Sequence, residues 1–127
     1  MKLLPVTLLA ASLVLGHLAT AAAQSDTVIR VRTAGDLADL CGAKRTDPAG
    51  PERINFCHGY TEASFEMELR REKSLNQNRI CLPTPAPART STLNEFVGWV
   101  RSMPEHASRP ALNGFFEFMS QRYPCSK

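Results

Sequence analysis

Four cysteines, Cys41, Cys57, Cys81 and Cys125, are the strongest constraint on what this 127-residue chain folds into. They stand behind an apolar leader. Lys2 gives a basic start, residues 3–18 an apolar core, and Ala21-Ala22-Ala23 a small-residue exit. That order is a secretory signal peptide, with cleavage expected after Ala23. The apolar run is short for a membrane span of about 20 residues, so no membrane insertion is expected once the leader is removed. An exported chain meets an oxidising compartment, where an even number of cysteines reads as two disulfides. The domain plan is therefore a signal peptide over 1–23, a flexible N-terminal arm over 24–32, and a single helical domain over 33–127. About 100 residues remain after the leader, enough for one domain.

Patterning along that domain is helical. Thr33 is an N-cap residue, Asp36 follows in the first turn, and Leu37, Leu40 and Cys41 share a face before Gly42 ends a short helix. Asp47-Pro48 and Gly50-Pro51 are turn signals. The main helix is expected from about Glu52 to Lys73. Phe56, Tyr60, Ala63 and Met67 form an apolar stripe, with Ile54, Phe65 and Leu69 on one flank and Cys57 on the other. Glu62, Glu66, Arg70 and Lys73 line the opposite, solvated face, with Glu66 and Arg70 as an i,i+4 pair. An apolar surface this wide predicts a central helix touching several neighbours.

Pro85 and Pro87 make 84–89 an extended link. Thr92 with Glu95 reads as the capping box of a third helix that Pro104 stops. Ser108 reads as the cap of a fourth helix, with Pro110 tolerated in its first turn and Pro124 at its end. The fold class is all-α: a small disulfide-stapled helical bundle of one short and three longer helices.

Four cysteines allow three connectivities, and spacing alone does not choose among them. Short connections make neighbouring helices antiparallel, however. The end of the first helix then meets the start of the main helix. The end of the main helix meets the C-terminus, after one helix up and one down. This predicts the pairs Cys41–Cys57 and Cys81–Cys125, each within the Cα separation a disulfide needs.

No motif for chemistry emerges. His58 and His106 stand beside no nucleophile motif, and there is no phosphate loop or G-x-S-x-G elbow. No cysteine pair has zinc-ligand spacing, so no metal, cofactor or catalytic residue is assigned. Lys and Arg total 15 against 12 Asp and Glu, too balanced to argue for nucleic acid. The chain reads as a binding or structural protein rather than an enzyme.

Several short motifs occur in a recognisable order: Cys57-x-Gly59-Tyr60, Ile80-Cys81-Leu82-Pro83, Met103-Pro104-Glu105 and Tyr123-Pro124-Cys125. Together they resemble the Rap/Tai immunity proteins over about Leu37 to Cys125. The resemblance implies a periplasmic, all-helical, often homodimeric protein. It implies a partner as well, a type VI secretion amidase effector that cleaves peptidoglycan and whose active-site groove is occluded. In some members the connection between the last two helices does the plugging. The corresponding partner-binding residues here are Pro104, Glu105, His106, Ser108 and Arg109, of which Pro104 and Glu105 fit the family pattern. Two other classes fit a small exported helical protein: a periplasmic stress or chaperone-like protein, and an accessory subunit of an envelope complex.

Overall fold

The computed structural model describes residues 28–126. The leader and the first residues of the arm lie outside them. Among the described residues are five helices: α1 (Ala34–Cys41), α2 (Gly50–Ser74), α3 (Arg89–Ser102), α4 (Pro104–Ala107) and α5 (Ala111–Arg122). Two isolated bridges, Thr33 to Pro110 and Ile80 to Pro124, tie the segments between them. The protein is a small all-α bundle.

A helix of only eight residues sits at its centre. α1 packs closely against each of the other four helices. Its start is fixed by a reciprocal capping box. The Thr33 hydroxyl accepts from the Asp36 N–H at 3.1 Å, and the Asp36 carboxylate accepts from the Thr33 N–H at 2.9 Å. The Thr33 N–H, followed by that of Arg32, holds the Asp36 carboxyl below its usual value. Ala34, Leu37, Ala38 and Leu40 are all buried. Small residues allow close crossing: a Cβ added to Gly114 of α5 would stand 2.7 Å from the Ala34 Cβ. Ala34 N–H donates to the Arg109 carbonyl at 2.8 Å, and Ala111 N–H to that of Arg32 at 3.0 Å. Ile29 and Val31, just before α1, pack against the core, so this end of the arm lies on the bundle.

α2 departs from its expected role. It begins at Gly50, where the loop closes so tightly that a Cβ would lie 2.0 Å from the Lys44 carbonyl oxygen. Pro51 sits in the first turn, where its missing N–H has no partner to lose. Its one extensive helix-to-helix packing is against α1. The face it buries is Cys57, Thr61, Glu68 and Glu72, with Phe65 half-buried beside them. The expected apolar stripe instead runs along a flank. Phe56 and Tyr60 are half-buried and stacked at 5.8 Å, Ala63 is exposed, and Met67 is 71% exposed. Polar residues can take the buried face because each has a partner. Thr61 donates to the Cys57 carbonyl at 2.8 Å, and both glutamates are ion-paired. The solvated face is as expected, with Glu66 and Arg70 3.7 Å apart.

α3 starts at Arg89, about one turn before the expected cap. No capping box forms at Thr92. That residue is buried within the helix, its hydroxyl 3.1 Å from the Tyr123 hydroxyl, and Glu95 pairs with Arg122 instead. Phe96 is fully buried and meets Phe115 edge-on at 5.4 Å and Phe118 at 5.6 Å. Ser108 likewise does not cap α5. It ends the extra helix α4, its hydroxyl donating to the Glu105 carbonyl, and α5 begins after Pro110.

Disulfides join Cys41 to Cys57 and Cys81 to Cys125, with Cα separations of 5.2 and 4.9 Å. The second lies beside the Ile80–Pro124 bridge, where Cys81 N–H donates to the Tyr123 carbonyl.

Candidate partner-binding surface

Among the described residues no group of three or more His, Cys, Asp or Glu side chains is placed to hold a metal. All four cysteines are in disulfides. Side-chain chemistry is instead spent on holding surface elements in place, at two sites.

The first site is a clasp on the far half of α2. The Glu68 and Glu72 side chains are only 7% and 3% exposed. Arg71 lays Nε and Nη2 across the two Glu68 oxygens at 2.7 and 2.6 Å, a bidentate fork that suits a carboxylate. Arg79, seven residues past Glu72, folds back to bridge Glu68 and Glu72, and its backbone N–H donates to Glu72 at 3.1 Å. Hydrogen bonds from Arg71 hold the Glu68 carboxyl below its usual range, against the opposing effect of burial, with Arg79 adding to the effect. The turn after α2 is thereby pinned to it, and Ile80 enters the core next to Cys81. Nothing in the alternation of charges along α2 singled out these two glutamates. The unpaired-looking Arg79 just before Ile80-Cys81 was the one available signal.

The second site is α4 and its surroundings. His106 is buried, and its ring stacks on Trp99 at 3.7 Å with 8° between planes. Its Nδ1 lies 2.7 Å from the Trp99 carbonyl oxygen. A carbonyl only accepts, so Nδ1 carries the proton. Arg109 is half-buried and pairs with Glu117 at 2.9 Å, while its carbonyl receives the Ala34 N–H. Thus two of the five residues proposed from sequence hold the segment onto α1, α3 and α5. The other three, Pro104, Glu105 and Ser108, are exposed, next to Met103 at 44% exposure. Met103 completes an outward edge of mixed apolar and acidic character. A groove of about 310 Å³ lies elsewhere, between α2, α3 and α5 beneath the proline-rich link. Phe65, Leu82, Pro87 and Met119 line it, and the ion pair Arg89–Glu62 at 2.7 Å stands on its wall.

These features define a class: a small helical protein, crosslinked twice, that presents a short helix braced from behind by buried contacts. The chain belongs to the Rap1a immunity proteins, whose family model matches residues 33–125, from the cap of α1 to the last cysteine. No curated protein and no solved structure gives a significant match. Membership implies binding to an effector partner rather than catalysis.

Proposed function

We propose that this is a periplasmic immunity protein that binds a peptidoglycan-cleaving amidase effector of a type VI secretion system and occludes its active site. The observation that carries the reading is the family match over the whole helical domain. The bracing of α4 supports a role for Met103, Pro104, Glu105 and Ser108 as the inserted edge. A segment already ordered before binding loses little conformational freedom on contact. The leader and the two disulfides fit export to the periplasm. The homodimer common in the family belongs to the same reading. The test is co-expression of a candidate amidase in the periplasm of a Gram-negative host, with and without this protein. Protection from lysis is expected, and replacing Glu105 with Arg should weaken it while leaving the fold intact. Lysis that continues undiminished in the protein's presence removes the reading for that amidase.

A further inference from the structure

A second pocket, of about 380 Å³, opens where the end of α1, the loop after it, the start of α2 and the start of α3 meet. Its polar lining is rich in donors. Arg45, Asn55, His58, Thr90 and Asn94 each bring at least one N–H or O–H, and no carboxylate lines it. Arg45 is the telling residue. Every arginine from Arg53 to Arg122 is engaged by an acid or, for Arg53, by the Asp39 carbonyl. Arg45 has no such partner among the described residues. The acid nearest to it in the loop, Asp47, is turned to the Lys44 N–H at 2.7 Å. One further feature favours negative charge there, and another fixes the walls. Thr90 stands in the first turn of α3, whose cap residue Ala88 offers no side-chain acceptor to the free N–H groups. The Cys41–Cys57 disulfide joins α1 to α2, so these two walls are fixed relative to each other.

We propose that this pocket is a carboxylate-binding site. One permanent cation among amide, hydroxyl and imidazole groups suits an anion, and a guanidinium fork with amide N–H groups matches a planar carboxylate. The carboxylate belongs either to a small free acid or to an acidic side chain. The site does not depend on the amidase reading, since it uses residues remote in sequence from α4.

The experiment is a titration of the exported chain, disulfides intact, with sodium propionate at constant ionic strength, followed by amide NMR. Saturable shifts are expected at the Asn55 and Asn94 side-chain amides and at the Thr90 backbone. Arg45→Gln should weaken binding about tenfold or more. Asn94→Asp, an exposed and nearly isosteric change, should abolish it. Lys73→Gln, which removes a cation from the solvated face of α2, should leave it unchanged. A parallel titration with N-acetylaspartate amide, which carries the same single charge, separates the sources: tighter binding than propionate points to a peptide side chain, weaker binding to a free acid. The proposal is overturned by shifts that never saturate, by an equal response to chloride, by an Arg45→Gln protein that binds normally, or by inorganic phosphate binding more tightly than either acid.

Discussion

α1 and α2 show two ways of holding a helix. α1 has 8 residues and α2 has 25. An isolated helix of α1's length is unstable in water, yet it is the one enclosed by four neighbours, with only its Asp36 and Asp39 edge exposed. Its apolar residues are buried, and four helices pack on it. α2 is long enough to be semi-stable by itself, yet over much of its length it is fastened rather than enclosed. One disulfide ties its first half to α1, and the Arg71–Glu68–Arg79–Glu72 clasp with the Cys81–Cys125 bond ties its far end. Helix length and apolar content thus do not tell which element is the core. Enclosure by neighbours does.

The comparison is most exposed to removal of the second disulfide. Replacing Cys81 and Cys125 with serine reopens a loop of 44 residues, a loss of about 4 kcal/mol on the loop-entropy scale. Hydrogen exchange should then show amides 63–74 of α2 losing protection well before those of α1. Equal loss in both helices would mean that α2 is enclosed after all. A smaller change is expected from Glu68→Gln, about 1–2 kcal/mol at pH 7, because charge-assisted bonds to Arg71 and Arg79 become neutral ones. The sign with pH follows from the direction of the shift. The folded-state Glu68 value is below the ordinary 4.5. Its stabilisation is therefore complete above that value and disappears as pH falls through the lowered one. Urea midpoints of the two proteins should differ at pH 7 and converge in strong acid. A gap that persists at low pH would show that packing, not charge, holds the clasp. The smallest effects separate the helices by sign. Gly114→Ala pushes a Cβ into Ala34 of α1 and should cost about 1 kcal/mol. Gly59→Ala meets open space on α2 and should gain up to about 1 kcal/mol of helix propensity. Thermal melts that move the same way for both would erase the distinction.

Much of the architecture is legible in the residues. Helical periods, the prolines at 104 and 124, and the Thr33–Asp36 pair mark elements that exist. Short connections between antiparallel helices bring Cys41 to Cys57 and Cys81 to Cys125. What misleads is hydrophobicity taken as burial. On α2 the stripe from Phe56 to Met67 has more apolar letters than the face that is buried. Thr61 can go inside because it bonds to its own helix, and Glu68 and Glu72 can because Arg79 returns to meet them. That return is a tertiary event, invisible in a helical wheel. Thr92–Glu95 fails for a similar reason. The pattern is local, but Tyr123 and Arg122 from the other end of the chain compete for both side chains and win. Of the α4 residues, position alone could not tell that His106 stacks inward on Trp99 while its neighbour Glu105 faces out.

The two disulfides also divide the chain as a covalent graph. One closes a ring over residues 41–57, the other over 81–125, and the rings neither overlap nor nest. A single peptide bond cut anywhere between them leaves two separately crosslinked fragments with no covalent tie. α1 belongs with the first fragment but is packed among the helices of the second. The seam between the halves is therefore filled by an eight-residue plug, and the fit of Ala34, Leu37 and Ala38 weighs heavily in whether a nicked molecule stays whole.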